Sequence, residues 1–326
     1  MLEGILLEGF IYGIMALGVF ITFRILDFPD MTVDGSFPMG TVIVASMVTA
    51  GYHYATALLV AFLAGLVAGS VTALIHIKLK ISNLLAGILT LTMLYSINIR
   101  ILNGKAIQAL LNKHTIMSSV NRMGEKLSET SLLQFMGEKF SANPAHLGAQ
   151  ITQIFFFLLI VLVVKLLIDL FFTTDMGLVM ISMGDNPKMV TNLGINENTL
   201  KLIGVSLANG LVAFSGGLAS MYLGFGDVNL GQGIIVSGLA SVMLGEFILR
   251  GRSMPIMTLR VVIGCIIYKA VMYAGRSVGF EYFGLKPQDL KLLTGLLLIA
   301  CLASTQIMDA YKQWQRRRRF RRSQSC

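Results

Sequence analysis

Long apolar runs separated by short polar stretches dominate the sequence. A helix that crosses the hydrocarbon core of a bilayer needs about 20 apolar residues, and most of the runs come close to that length. There are nine such runs, at 4–24, 36–51, 54–77, 83–102, 151–172, 200–223, 234–249, 256–275 and 288–305. The pattern predicts an all-α, polytopic membrane protein with about nine transmembrane helices, in a range of about eight to ten.

Two of the runs, 36–51 and 234–249, are short for a full crossing. Each follows an irregular polar stretch, at 28–35 and at 224–233. Non-helical backbone at membrane depth is tolerated only where protein or a water-filled cavity satisfies its hydrogen bonds. We therefore expect two broken helices that border a path through the protein.

The order of long run, polar break and short run occurs twice, and the count of crossings gives the two copies opposite orientations. Inverted repeats of this kind are common in transporters, which place their substrate site at the repeat interface. We expect a single transmembrane domain over 1–306. Its parts are half-repeats at about 1–103 and 200–306, an outer loop at 104–150, a linking span at 151–172 and a connecting segment at 173–199, and a basic tail at 307–326 follows.

Composition and charge fix the class of protein and its orientation. Only 13% of the residues are charged, whereas an average soluble domain has about a quarter. The basic tail contains an arginine cluster at 316–322, and short basic segments stay on the cytoplasmic side. The C-terminus and the 173–199 segment are therefore predicted to be cytoplasmic. The tail also suits anionic membrane lipids, whereas no nucleic acid partner is expected, because few aromatic residues accompany the arginines.

The sequence gives no support for catalysis or for a bound cofactor in this chain. The histidines and cysteines are scattered, at His53, His76, His114, His146, Cys265, Cys301 and Cys326. That spacing predicts no metal site. The chain also lacks the G-x-x-x-x-G-K-[ST] loop that cradles nucleotide phosphates. An intramembrane enzyme is disfavoured because neither a nucleophile nor a pair of acids is placed for it.

Polar residues at the two breaks are the candidates for the translocation path. They are Asp30, Thr32, Asp34 and Ser36 at the first break, and Asp227, Asn229 and Gln232 at the second. Polar groups at membrane depth are costly and usually face a cavity or a partner. The alternative is that they cap the broken helices, with Asp30 capping 31–34 and Asp34 capping the short second run. A half-helix N-terminus at a break is also suited to the carboxylate of a zwitterionic amino acid.

The connecting segment contains a short helix with a cap at each end. Asn186 is a good N-cap, Pro187 a good first helical residue and Gly194 a natural residue just beyond the end. The helix is predicted over 187–193, with Met189, Val190 and Leu193 on one face. Such a helix suits docking into a groove on a partner. The alternative is a surface helix that rests on the protein's own spans.

The sequence from Gly184 to Asn196 resembles the coupling segment of ABC-importer permeases of the branched-chain amino acid and ribose type. Further stretches are similar to the same family, at 26–37, 84–90, 214–220, 238–246 and 288–294. The resemblance covers nearly the whole chain, and it is closest to a subgroup linked to tryptophan- or tyrosine-type binding proteins. The outer loop is longer than is usual for the family, and the arginine-rich tail is not a family motif.

The resemblance implies a permease subunit of an ATP-dependent importer in the bacterial inner membrane. It forms the path for a small solute, an amino acid by this resemblance, which an extracytoplasmic binding protein delivers. The residues implied to dock on the ATPase are Gly184, Asp185, Asn186, Pro187, Lys188, Met189, Leu193, Gly194 and Ile195. ATP and Mg²⁺ then belong to a separate ATPase subunit, and a second permease copy, as a homodimer, completes the assembly. A secondary transporter of small solutes is the alternative, since it too has inverted repeats, but it needs no docking helix.

Overall fold

A computed structural model of the protein describes residues 2–111, 113–128, 144–249, 251 and 253–282, with the isolated positions 292, 295, 296 and 299. The first part contains α1 (Leu2–Phe20), a π-helical turn (Ile21–Ile25), α2 (Val33–Thr49), α3 (Tyr54–Leu79), α4 (Asn83–Ile101), β1 (Ile107–Ala109) and α5 (Ile116–Ser128). The second part contains α6 (Pro144–Thr173), α7 (Asp175–Asp185), α8 (Pro187–Asn192), α9 (Glu197–Leu223), β2 (Phe225–Asp227), a 3-10 turn (Val228–Gly231), α10 (Ile234–Ile248) and α11 (Met254–Tyr282).

Within the described residues, seven helical segments are long and apolar enough to cross a membrane. They contain α1 with its π-helical turn, α3, α4, α6, α9, α10 and α11. The apolar helix α2 is shorter, at 17 residues. Together they correspond to the first eight predicted runs, so the all-α polytopic fold is confirmed. The ninth run, 288–305, lies outside the described residues except for isolated positions, and the tail lies wholly outside them.

Both predicted breaks interrupt the α-helical backbone. The π-helical turn ends α1, and α2 begins at Val33, three residues before the predicted run at 36–51. At the second break, Gly224 ends α9 with a φ of +79°, and Gly233 precedes α10 with a φ of +84°. Glycine takes this left-handed conformation without the steric cost that a Cβ imposes, which explains why glycines frame the second break.

Helices from the two ends of the described chain pack against each other. Helix α9 of the second half lies against α2 and α3, whereas α1 of the first half lies against α10 and α11. Glycines allow this close approach: a Cβ at Gly65 or Gly69 of α3 would collide with the backbone of α9. Close packing of small residues is the main source of helix association in lipid. As a result α1 and α9, the most buried spans, lie at the centre of the bundle.

The described parts of the 104–150 segment contain more secondary structure than the loop expected from the sequence. They contain β1 and α5, and α6 begins at Pro144, inside the predicted loop. Strand β1 pairs antiparallel with β2, so that Gln108 lies opposite Gly226. The backbone groups of the second break need partners, and β1 supplies them. The 173–199 segment likewise holds one more helix than expected, α7, before the predicted short helix.

Candidate functional site

Asn209 of α9 forms the centre of a buried polar network beside the first break. Its Nδ2 donates to Asp30 Oδ2 at 2.6 Å, and its Oδ1 accepts from Ser36 Oγ at 2.6 Å. Asp30 Oδ1 also accepts from the backbone N–H of Thr32 at 2.9 Å. The Thr32 hydroxyl in turn lies 2.7 Å from the hydroxyl of Thr72 on α3. All five residues are fully buried.

This network joins three of the predicted path residues: Asp30, Thr32 and Ser36. A buried polar group costs free energy unless it is hydrogen-bonded, and here each group has a partner from another helix or from the break. Asp30 therefore acts as the cap that the alternative expected, and it also holds α9 against the break. A role for these residues in the path itself stays a prediction.

Asp34 bridges the two breaks. Its carboxylate accepts from the backbone N–H of Ile235 at 2.9 Å and from that of Gly233 at 3.3 Å. It caps α10 of the other half, so the expectation that it caps its own helix, α2, is corrected. The N-terminus of a helix carries a partial positive charge that favours an anion. Because a protein carboxylate already holds the start of α10, this N-terminus is not free to receive the carboxylate of a substrate.

At the second break, Asp227 and Asn229 are bonded to each other. Asp227 Oδ1 accepts from the backbone N–H of Asn229 at 2.8 Å and from its Nδ2 at 3.2 Å, which caps the 3-10 turn. The hydroxyl of Thr41 on α2 lies 3.3 Å from the Asp227 carbonyl oxygen. Gln232 is exposed and lines an open cavity between α1, α10 and α11. The predicted path residues thus fall into three groups: the buried network, the Asp34 bridge and the second break.

The short helix α8 has the caps that its sequence predicts, but it ends at Asn192, one residue before the predicted end at Leu193. Asn186 Oδ1 accepts from the backbone N–H of Met189 at 3.3 Å. Pro187 occupies the first helical position, and Gly194 has a φ of +78°. The apolar residues do not share one exposed face, however. Val190 is 1% exposed and packs on the protein, whereas Met189 and Leu193 are 54% and 66% exposed.

A known protein family matches the sequence over nearly the whole chain. The sequence profile described as "Branched-chain amino acid transport system / permease component" matches residues 1–302. The chain belongs to this permease family.

Individual relatives agree with this assignment. A tyrosine transport system permease protein of Clostridioides difficile (strain R20291) is 38% identical over 309 residues, covering 95% of this chain and 92% of that protein. An uncharacterized protein of Rickettsia prowazekii (strain Madrid E) is 27% identical over 295 residues, covering 90% and 94%. An autoinducer 2 import system permease protein of Salmonella typhimurium (strain LT2) is 26% identical over 224 residues, covering 69% and 56%. No solved structure gives a significant match.

The chain is therefore a multi-pass membrane protein and a permease subunit of an ABC-type importer of small solutes. The prediction of a permease subunit is confirmed, in preference to a secondary transporter. Permease components of ABC transport systems work with an ATPase and a binding protein.

In the permease, α7 is seated directly on the π-helical turn that precedes the first break. A Cβ at Gly184, near the end of α7, would collide with the carbonyl oxygen of Ile25 in the π-helical turn. On the other side of that turn, Arg24 Nε lies 2.9 Å from Glu246 Oε1 near the end of α10, and Glu246 also accepts from Arg260 Nη2 at 2.8 Å. The turn before the first break is thus held by α7 and by α10 at once.

Sequence reasoning missed Asn209 and Thr72, which complete the buried network. The available signal was a single asparagine within an otherwise apolar span, because a polar side chain at membrane depth usually has a specific partner. The sequence could not say which break Asn209 contacts, since 179 residues separate it from Asp30.

Proposed function

We propose that this permease imports an amino acid, tyrosine or a close analogue, across the bacterial inner membrane. A separate ATPase binds ATP and Mg²⁺ and supplies the energy, and an extracytoplasmic binding protein delivers the solute. The name of the 38% identical relative and the resemblance of the subgroup to tryptophan- and tyrosine-linked systems support this class of substrate.

The observation that carries the proposal is the exposed part of α8. Met189 and Leu193 project from a helix that is capped at both ends, while Val190 fastens the helix to the protein. A short amphipathic helix with exposed apolar anchors suits a hydrophobic groove on a partner. The ATPase docks on these anchors, and the neighbouring residues from Gly184 to Ile195 form the rest of the contact.

Docking at α8 provides a route from ATP hydrolysis to the membrane. Movement of the ATPase shifts α8 together with α7, which contacts the π-helical turn through Gly184 and Ile25. That turn leads within a few residues to Asp30 and the buried network. The movement of the ATPase therefore reaches the first break, and the translocation path opens or closes there. Asp30, Thr32, Asp34, Ser36, Asp227, Asn229 and Gln232 are the residues proposed to border that path.

The distribution of basic residues sets the proposed orientation. The end of the bundle that carries α7 and α8 is cytoplasmic, as is the basic tail, which contacts anionic lipids of the inner leaflet. The β1–β2 end then faces the binding protein. Two ATPase subunits must close on each other, and each needs a permease to dock on. With one permease domain in this chain, a homodimer is the proposed assembly, and the chain itself performs no catalysis.

Reconstitution of the complex in proteoliposomes tests the proposal. Permease, ATPase and binding protein together should accumulate radiolabelled L-tyrosine only when ATP is present on the ATPase side. The double variant Met189→Ser/Leu193→Ser should lose ATPase from the purified complex and lose uptake. The matched control is Leu79→Ser, since Leu79 is also 64% exposed but lies at the end of α3. Equal ATPase retention in the two variants contradicts docking at α8, and import driven by an ion gradient without ATP contradicts the importer itself.

A further inference from the structure

An open cavity of about 480 Å³ lies between α1, α10 and α11, beside the second break. Its wall includes Tyr12, Gln232, Val236, Ser237, Tyr268 and Arg276. Small-molecule sites typically measure about 300–1,000 Å³ and combine an apolar lining with a few placed polar groups. We propose that this cavity binds the transported solute within the permease, and that the solute is an amino acid with an aromatic or large apolar side chain. The assignment rests on the proposed function for the class of substrate.

The aromatic part of the wall is held in a fixed position. The ring of Tyr12 stacks on Phe37 of α2, with centroids 5.4 Å apart and an angle of 29° between the planes. The Lys269 ammonium lies 3.4 Å from the centroid of the Tyr12 ring, and it also pairs with Glu8 at 2.9 Å. A ring that is packed from two sides loses little freedom when a ligand arrives, so the part of Tyr12 that lines the cavity is preorganised.

The charge in the wall suits a carboxylate. Arg276 is the one charged residue among the described residues that line the cavity. An arginine binds a carboxylate with two parallel hydrogen bonds, and the nearby Gln232 and Ser237 add neutral polar groups. Tyr268 and Arg276 lie eight residues apart on one face of α11, a rise of about 12 Å. The cavity therefore combines aromatic side chains with one cationic side chain, which suits an amphipathic amino acid.

A second cavity of similar size lacks the polar groups that an amino acid needs. It measures about 470 Å³ and is lined entirely by apolar side chains of α3, α6 and α9, among them Leu58, Phe62, Ile168 and Phe214. A zwitterion would leave its charged groups without partners there, at a large cost in free energy. The cavity at the second break, by contrast, offers partners to both the polar and the apolar parts of the ligand.

The cavity between α1, α10 and α11 is also linked to the first break, which receives the motion of the ATPase. Gly233 belongs to its wall, and the backbone N–H of Gly233 donates to Asp34 at the start of α2. Movement of the first break thus pulls on the start of α10, where the cavity lies. A bound solute at this place is released when the break rearranges.

Protection from a thiol reagent tests the cavity directly. We would place Ser237→Cys permease in nanodiscs and measure the rate of labelling by a hydrophilic, membrane-impermeant thiol reagent, with L-tyrosine as the probe ligand. The rate should fall about ten-fold at a concentration of about ten times Kd, because only the unoccupied fraction reacts. The matched control is Ser46→Cys, which lines a separate cavity near α2 and α4 and should label at an unchanged rate. The unsubstituted protein, with Cys265 buried, gives the background.

The protection experiment also has a ligand control. Tyramine keeps the ring and the amine of tyrosine but lacks the carboxylate, so it should protect Ser237→Cys about ten-fold less well, the loss of one charge-assisted contact. Failure of L-tyrosine and of the other aromatic and large aliphatic amino acids to slow the labelling overturns the cavity assignment. Equal protection by tyramine and tyrosine overturns the role of Arg276.

Transport by the complete complex separates this inference from the proposed function. Arg276→Gln should raise the KM for tyrosine uptake about ten-fold. The control Arg100→Gln alters an exposed arginine on α4 and should leave the KM unchanged. If the wild-type complex imports tyrosine but both variants have the same KM, the cavity assignment fails and the proposed function stands. If the complex imports no amino acid, the proposed function fails, while protection of Ser237→Cys by tyrosine still supports the cavity.

Discussion

Replacement of Asn209 by leucine tests the buried network most sharply. The Asn209→Leu change keeps the number of side-chain heavy atoms but removes the donor to Asp30 and the acceptor for Ser36, both at 2.6 Å. Each buried group left without a partner costs about 1–3 kcal/mol, and a carboxylate costs more. We therefore expect a loss of about 2–5 kcal/mol. A hydrogen bond between membrane helices contributes only about 0.6 kcal/mol on average. Most of this loss therefore comes from the buried Asp30 carboxylate, which no longer has Asn209 as a donor.

Thermal stability in detergent, followed by size-exclusion chromatography after heating, measures the effect. A loss of this size lowers the apparent Tm by on the order of 10 °C. The control is Asn198→Leu, at an exposed position in the first turn of the same helix, where a surface substitution changes stability by about 0.5 kcal/mol or less. An Asn209→Leu protein as stable as Asn198→Leu would refute the network.

A double-mutant cycle separates the network from simple packing. Adding Asp30→Leu to Asn209→Leu removes the stranded carboxylate, so the double variant should be less destabilised than the sum of the two single variants. Groups in direct contact usually show such coupling, at about 0.5–3 kcal/mol. Additive losses would mean that Asn209 and Asp30 act independently, contrary to their 2.6 Å contact.

Three further substitutions probe the contacts that join the parts of the permease. Gly184→Ala should reduce both uptake and Tm because its Cβ collides with the Ile25 carbonyl, whereas Gly4→Ala, whose Cβ meets its nearest atom at 3.6 Å, should change neither. Asp34→Ala should lower stability by about 1 kcal/mol, the usual value of a helix cap, and Asp34→Asn should retain most of it; equal Tm values for the two would contradict the cap. Glu246→Gln should destabilise by about 3 kcal/mol, because one of the two arginines that Glu246 bridges is buried; an unchanged Tm would show that the bridge contributes nothing.

A series of contacts links the segment of α7 and α8 to both breaks. The segment of α7 and α8 touches the π-helical turn through Gly184, that turn leads to the network at Asp30, and Asp34 connects the start of α2 to the start of α10. Each contact involves either backbone or a fully hydrogen-bonded side chain. Such contacts transmit displacement because they leave little room for side chains to adjust. We therefore expect the two broken helices to move as coupled elements.

The sequence alone determined the features that depend on neighbouring residues. The length of each apolar run predicted the spans, because every backbone group in lipid must be satisfied within a helix. Asn186, Pro187 and Gly194 predicted the short helix α8, because capping is a local interaction of a side chain with the next backbone groups. The two breaks followed from glycine and polar residues placed between apolar runs. The family resemblance of these segments then gave the class of transporter.

The tertiary structure decided which of these features meet. It placed Asp34 at the N-terminus of α10 rather than α2, and Asn209 beside Asp30. It turned Val190 inward and left Met189 and Leu193 exposed on α8. It also paired β1 with β2 across more than a hundred residues of sequence. Caps and hydropathy depend on residues a few positions apart, whereas these contacts depend on how whole helices pack. Only the packing of the two halves shows which side chain a polar residue reaches.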